Sequence, residues 1–413
     1  MAGLLLPPVQ GPPVAVRMSK CVGGMSAVNA TMKEPSMPRL LFVVTGTGRG
    51  GAETQVVSLA GAFAKRGYDV GLVSLLPPGD FSDELQKEGI PLFSLRMKRG
   101  RASLVALFRF GMIVRQFRTD IIHSHMVHAN LLTRLGRLFS RRIPLINTEH
   151  SIYIGGRARE IAYRFTDSMC DCFTIISRAA AERFVRVGAV PTGRIITVPN
   201  GIDTERFQRN RDERLRIRKE LGIDDRFVWL AVGRFEAVKG YEIMLKAFRN
   251  VHNSAQKSVL LIAGSGALFE QSVALAVELK LGENVRFLGL RKDVCSLMSA
   301  ADGFVLSSLY EGMPMVLLEA ASCELPAVAT AVGGNPEVIL QAETGFLVTS
   351  GNVEELDKGM MQMMEMPQEG RLAMGSAARK HIVANFSLLA VVNEWESLYS
   401  QLLAKYAMQS MSR

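Results

Sequence analysis

The segment SSLYEGMPMVLLEAASC sets two carboxylates, Glu311 and Glu319, eight residues apart among apolar and small side chains. An ionised carboxylate without a partner is costly to bury, so both ask for one. A carboxylate only accepts hydrogen bonds, and the paired hydroxyls of a sugar or a ribose are suitable donors. Gly312 and Pro314 prepare a helix start between the two, since proline suits the first helical turn. Glu311 then lies in the loop after the strand ADGFVLSS, and Glu319 about one and a half turns into the helix. The free amides of a helix start favour phosphate. One segment would offer contacts to sugar, phosphate and ribose. The plain alternative leaves Glu311 beside a helix start and Glu319 in a surface ion pair, and the apolar neighbours of Glu319 speak against it.

Two cations stand at another strand end. VGRFEAVKG carries Arg234 and Lys239, with Gly233 and Gly240 around them. A guanidinium grips phosphate oxygens in two-pronged fashion and an ammonium adds a mobile point charge, a combination that suits a diphosphate. TGTGRGGAE puts four glycines, Gly46, Gly48, Gly50 and Gly51, between a strand and a helix. Glycines let backbone amides approach a ligand. The spacing is neither the dinucleotide fingerprint nor a P-loop. GSG (264–266) is a weaker signal, equally a plain turn. HSHMVHAN carries His123, His125 and His128 at the end of a strand, with His150 ending the next. His123 and His125 are read as alternating across their strand, one facing a cleft and one packing in the core. Zinc is the rival reading, although no acidic residue completes an H-E-x-x-H helix.

Parallel strands must present these groups. From Arg39 onward the sequence alternates short apolar runs with amphipathic helices: RLLFVVTG, YDVGLVSLL, DIIHSH, PLINTEH, CFTIIS and RIITVPNG. After a charged stretch, DTERFQRNRDERLRIRKELG, read as a linker, the pattern restarts with FVWLAVGR, SVLLIAGSG, NVRFLGL, ADGFVLSS, LPAVAT and GFLVT. This is α/β architecture in two serial halves, and ligands in such folds sit outside the carboxyl ends of the strands. The 413 residues also suit two domains. Residues 1–37, rich in Pro, Gly and Met, read as a disordered extension, with translation from Met37 as the alternative. Five cysteines scattered over the chain suggest neither a disulfide framework nor a zinc site; Cys170 and Cys172 read as core thiols. A reducing cytoplasm is the expected compartment, and no apolar run is long enough to span a membrane. Charge is uneven: residues 1–200 hold 26 Lys+Arg against 13 Asp+Glu, and residues 201–413 hold 23 against 26. A basic first half points to an anionic partner.

Taken together these motifs resemble the retaining glycosyltransferases of family four, the group 1 glycosyl transferases. EGMPMVLLE resembles their Glu-(seven residues)-Glu motif, VPNGID (198–203) their inter-domain signature, VGRFEAVKG their diphosphate turn, GTGRGGAE their glycine loop, and HSH their cleft histidine strand. AVGGNPEVI (331–339) and ETGFLV (343–348) resemble late segments of the same family. The resemblance implies the GT-B fold: two Rossmann-like parallel-sheet domains facing a central cleft. Residues 38–200 would bind acceptor and 201–385 the nucleotide-sugar donor, with the helix 386–413 packing back on the first domain. It further implies that Glu311 holds donor-sugar hydroxyls near the reacting centre and that His125 contacts the donor sugar. Arg234, Lys239 and the amides of Gly312 and Met313 would serve the diphosphate. Glu319 would hold the ribose, Gly50 and Gly51 would bring the loop to the donor, and Leu288, Gly289 and Leu290 would line the nucleobase pocket. No metal and no cofactor are implied.

A transferase of this kind would move a hexosyl or N-acetylhexosaminyl group from a nucleotide-sugar such as a UDP-sugar. Its acceptor would be a sugar or a lipid-linked sugar of a bacterial-type surface glycan: lipopolysaccharide, capsule or exopolysaccharide. The stretch SLVALFRFGMIVRQFR (103–118) carries Arg109, Arg115 and Arg118 among apolar residues. It reads equally as a helix lying on an anionic membrane surface or as an ordinary surface helix with one buried face. The first would make a cytoplasmic protein peripheral on the inner face of the membrane. A nucleotide-sugar epimerase of the same fold and a non-catalytic nucleotide-sugar-binding protein are the rivals. Nucleic acid has only net charge in its favour, with no stacking platform or known module.

Overall fold

The computed structural model describes residues 37–98, 103–255 and 257–411. The extension expected over 1–37 falls, but for Met37, outside them. Two sheets form, each wholly parallel. The first contains β1 (Arg39–Val44), β2 (Asp69–Ser74), β3 (Leu92–Ser94), β4 (Ile121–His125), β5 (Leu145–Glu149), β6 (Cys172–Ile175) and β7 (Ile195–Thr197), in the order β3-β2-β1-β4-β5-β6-β7. The second contains β8 (Phe227–Val232), β9 (Ser258–Ala263), β10 (Val285–Gly289), β11 (Gly303–Leu306), β12 (Ala327–Thr330) and β13 (Gly345–Val348), in the order β10-β9-β8-β11-β12-β13. Helices cover both faces of each sheet, so central strands must be apolar on both sides. Leu40 to Val44 and Val259 to Ile262 are accordingly buried throughout.

This order positions the site. In the first sheet the chain winds outward from β1 one way and from β4 the other; β8 and β11 play the same parts in the second. Connections leaving such a pair go to opposite faces and open a crevice between the strand ends. The glycine loop follows β1 and HSH ends β4, where Val44 is paired with His125. VGR follows β8, and SLYEG follows β11. The four strongest motifs therefore sit at the two switch points.

Three departures from the sequence reading have physical causes. Strand β3 was not anticipated: it has three half-buried residues directly after Pro91, too few to show a period. The charged stretch before the second sheet is not a plain linker. It contains the helix Arg211–Leu221, capped by the Asn210 side chain. Arg214 and Arg218 on that helix fold inward onto the carbonyls of Ala300 and Ala301 and onto Asp302, with Arg218 Nη1 3.1 Å from Asp302 Oδ2. Third, the helix after Pro314 begins at Met315, with proline as its N-cap, so Glu319 lies just over one turn inside it.

The last helix, Leu388–Met411, crosses to the first sheet. Val391, Val392, Trp395, Tyr399 and Leu402 are buried in the same core as Phe42, Val56 and Phe63. The chain passes between the halves twice, and the passages touch: the Ile202 amide donates to Phe386 O and the Leu388 amide to Ile202 O. A Cβ on Gly201 would crowd Leu388 and Val391 at that crossing.

Candidate functional site

Lys239 and Glu311 meet directly. Lys239 Nζ lies 2.6 Å from Glu311 Oε1, and Ser308 Oγ donates to the same oxygen at 2.7 Å. Both side chains are largely buried, where an unpaired charge would be costly. Glu311 Oε2 has no hydrogen-bond partner among the described residues. The Lys239 turn is fixed from below, because Ser307 Oγ donates to the carbonyls of Lys239 and Gly240. Arg234 behaves differently. Its side chain is 66% exposed and pairs with Glu236 at 2.9 Å, reaching into open space with its guanidinium available. Its charge also acts on Glu53, in the first turn of the helix Gly51–Lys65 after the glycine loop, whose carboxyl burial pushes up and Arg234 pulls down.

Glu319 makes no ion pair and no side-chain hydrogen bond among the described residues, although it is only partly exposed. Burial pushes its carboxyl up to about 7, with Arg206 opposing and the Cys295 sulfur adding to the rise. A buried carboxylate without a partner in the fold is a candidate binding group. The surface ion pair considered as the plain alternative does not form.

The start of the Met315 helix is pressed against the first half. A Cβ on Gly312 would collide with the His150 carbonyl and crowd Ile176, and one on Gly51 would touch Met315 at 3.6 Å. Asn200, from VPNGID, donates to Met313 O at 3.0 Å. Gly333, at φ +54, lies under the Glu311 carbonyl. Across the same cleft the Arg178 amide donates to Glu337 Oε1 at 2.8 Å, and Tyr153 meets Tyr310 edge-on with ring centroids 5.1 Å apart. Among the described residues, neither the Gly312 nor the Met313 amide has a backbone hydrogen-bond partner.

The histidine reading needs correction. Residues two apart on a strand share a face, so His123 and His125 do not alternate. Their rings are 4.0 Å apart on one side of β4, both against Phe42. His123 is held by Tyr399 Oη at 2.6 Å and Thr148 Oγ1 at 2.7 Å. His125 Nδ1 lies 3.0 Å from His150 Nε2, and His125 Nε2 is buried without a partner among the described residues. Burial pulls all three rings well below the ordinary histidine range, His150 to about 4, so they are neutral at pH 7. The proton shared along His125–His150 decides whether His125 Nε2 offers a lone pair or an N–H. Met126 follows at φ +73 and ψ 152, a conformation costing roughly 1–3 kcal/mol for a residue with a side chain. That strained turn directs the strand end into the helix Val127–Leu135. His128 is exposed on that helix, outside the cluster.

Leu288 and Gly289 end β10, and Leu290 follows it. Leu288 packs on the core, Gly289 takes φ +63, and Leu290 is exposed. Their loop is tied to GSG by the Gly264 amide, which donates to Gly289 O at 2.8 Å. Gly264 in turn leaves no room for a Cβ above the Gly233 carbonyl. The weak GSG signal thus marks a required close approach of three loops. Sequence reasoning passed over Glu53, Ser308, Asn200 and Arg206. Asn200 and Glu53 lay inside quoted motifs, but nothing local says which loop each will meet.

Residues 49–206 match the family model described as Glycosyltransferase Family 4, and residues 213–381 the one described as Glycosyl transferases group 1. The chain is 28% identical over 291 residues to N-acetyl-alpha-D-glucosaminyl L-malate synthase of Bacillus anthracis, covering 69% of this chain and 75% of that one. It is 25% identical over 308 residues to UDP-Gal:alpha-D-GlcNAc-diphosphoundecaprenol alpha-1,3-galactosyltransferase of Escherichia coli, covering 72% and 78%. The crystal structure of Anabaena HepE in complex with UDP shares the fold, with a TM-score of 0.77 at 21% identity over 88% of this chain and 100% of that one.

Proposed function

The chain belongs to the group 1 glycosyltransferases of family four, which act on nucleotide-sugar donors, and from that premise we propose a retaining transfer to a lipid-linked sugar acceptor. The observation that carries the reading is the contrast within one segment. Glu311 is pinned by Lys239 and Ser308 with one oxygen left over, while Glu319 is left without a partner among the described residues. In this reading Glu311 Oε2 accepts from donor-sugar hydroxyls, Glu319 accepts from the ribose, and the amides of Gly312 and Met313 meet the diphosphate between them.

The chemistry follows from charge. The bond from sugar C1 to the diphosphate oxygen breaks, and negative charge gathers on the leaving group. Arg234 and Lys239 stand ready for that charge, and stabilising it there rather than in the ground state is what accelerates transfer. The acceptor oxygen forms its bond to C1 on the face the diphosphate leaves, and its proton passes to a leaving-group oxygen. No covalent nucleophile and no metal ion enter this scheme. His125, through Nε2, fits the donor sugar once the cleft admits it.

The Escherichia coli relative's name carries a UDP-Gal donor and a diphosphoundecaprenol acceptor, which supports a UDP-hexose and a lipid-linked acceptor here. A membrane face is available. On the helix Leu104–Gln116 the inner side is Ala106, Phe110 and Val114, yet Leu104, Val105, Phe108 and Met112 are exposed, next to exposed Leu138 and Phe139. Arg115, Arg141 and Arg142 stand exposed close by in sequence. No described helix is long and apolar enough to cross a membrane, so attachment would be to the surface. The test is Glu311→Gln, assayed with the donor that most raises the melting temperature in a panel of UDP-, GDP- and ADP-sugars. Turnover should fall at least about 100-fold, while the dissociation constant for the nucleoside diphosphate stays within a few-fold. Undiminished transfer would sink the assignment.

A further inference from the structure

We infer that Cys295 and Cys323 form a reversible oxidation site, which a peroxide converts into a disulfide bridging the helix Val294–Ala300 to the end of the helix Met315–Ser322. Their sulfurs are 3.7 Å apart, and the two residues sit on different elements 28 positions apart in sequence. Cys323 is buried, and its amide donates to the Glu319 carbonyl at 3.0 Å. Cys295 is only half-buried and so open to a small oxidant. Its protonated thiol can donate to the carbonyls of Arg206 and Gln208, each at 3.5 Å. Cys170 and Cys172, by contrast, are both buried with thiols that burial pushes up. The thiol of Cys323 as a donor, together with the Arg206 charge, pulls Cys295 down to about 6 against the effect of burial. Cys295, the sulfur a small oxidant can reach, is the nucleophile, and the buried Cys323 beside it is the resolving thiol.

The steps balance. The Cys295 thiolate attacks one oxygen of hydrogen peroxide; the O–O bond breaks and hydroxide leaves, leaving a sulfenic acid on Cys295. The Cys323 sulfur then attacks that sulfur, the S–S bond forms, and the S–O bond breaks as water leaves with the Cys323 proton. Two thiols and one peroxide give one disulfide and two waters, and a dithiol reverses the change by exchange. A disulfide needs about 2 Å between sulfurs, so the pair must draw together.

That movement has a place to act. Glu319 lies one helical turn before Cys323, and the Cys295 sulfur already acts on its carboxyl. Drawing Cys295 away from the Arg206 and Gln208 carbonyls also disturbs the connection between the two halves. The oxidised form should bind nucleotide more weakly. This consequence rests on the ribose role proposed for Glu319, whereas the cross-link rests on geometry alone.

The experiment treats the full-length protein with hydrogen peroxide, blocks free thiols, and maps peptides without reduction. A linked peptide containing Cys295 and Cys323, absent in Cys295→Ser and removed by dithiothreitol, is the expected result. Its absence while other cysteines are modified would overturn the inference. Nucleoside diphosphate titration of the same samples should show affinity falling about fivefold or more on oxidation and recovering on reduction, with Cys295→Ser unaffected by peroxide. A linked peptide with unchanged affinity would overturn the coupling to the donor site. Failure of the reduced protein to bind any nucleotide would overturn the donor site itself, with the cross-link still judged by its peptide.

Discussion

At the scale of single residues, the site is a set of groups held in costly states. Glu319 is the clearest. Its carboxyl sits at about 7 in the fold against 4.5 ordinarily, so between those values the folded chain keeps a proton that the unfolded chain has released. Stability contributed at this position is therefore fully present below about 4.5 and is lost as pH rises through 7. Glu319→Gln should make the ligand-free protein more stable at pH 8, on the order of 1–2 kcal/mol once partial solvation is allowed for. The advantage should vanish near pH 4, and nucleotide binding should weaken. Urea melts at the two pH values check this, and a variant less stable at pH 8 would mean the carboxylate already has a partner. Glu311 and Glu319 were legible in the sequence because a carboxylate in an apolar run contradicts its neighbours. Glu53 and Asn200 were not, since the one is ordinary for a first helical turn and the other for a loop, and each gains meaning only from the Arg234 charge and the Met313 carbonyl opposite it.

At the scale of elements, loops at the strand ends interlock through positions where only glycine fits. Gly264, at φ +152, sits over the Gly233 carbonyl while its amide holds Gly289. Gly264→Ala should cost about 2–4 kcal/mol by forcing two loops apart. It should weaken nucleotide binding about tenfold, which is about 1.4 kcal/mol. Gly222→Ala is the control: φ is +59 with open space around it, so the strain of about 1–2 kcal/mol should appear in a urea melt without any change in nucleotide affinity. Equal losses of affinity in both variants would refute the interlock. Strands with apolar runs on both faces, such as β1 and β9, could be read directly because burial on two sides leaves no ambiguity. The three residues of β3 could not. The helix Arg211–Leu221 was hidden because its inward side sets Arg214 and Arg218, bound to carbonyls and to Asp302, beside Ile217, so few apolar residues mark its period. The histidine assignment failed for another reason, a wrong application of strand period, and the pairing of both rings against Phe42 corrects it.

At the scale of the whole molecule, charge and apolar surface are distributed unevenly in a way that bears on where the acceptor arrives. The excess of positive charge lies in residues 1–200, the half that carries the exposed apolar helix side. Phe108 and Phe139 touch there, ring centroids 5.6 Å apart, and Gly111 lets the two segments approach. Leu388–Met411 covers the other side of that sheet with Trp395 and Tyr399. Basic residues beside an apolar strip are what an anionic lipid surface recognises: charge draws the protein in over a Debye length of about 8 Å at physiological salt, and burial of apolar side chains holds it. Binding to vesicles containing phosphatidylglycerol should exceed binding to phosphatidylcholine vesicles and should fall as salt rises. Phe108→Ser with Met112→Ser should reduce the binding that survives high salt, while leaving turnover on a soluble acceptor analogue unchanged, because neither side chain approaches the Lys239–Glu311 pair in the fold's topology. Binding indifferent to lipid charge and to both substitutions would remove the membrane from the reading and leave the basic half to a soluble anionic acceptor. The second half, residues 201–413, is slightly acidic overall and would be unaffected either way.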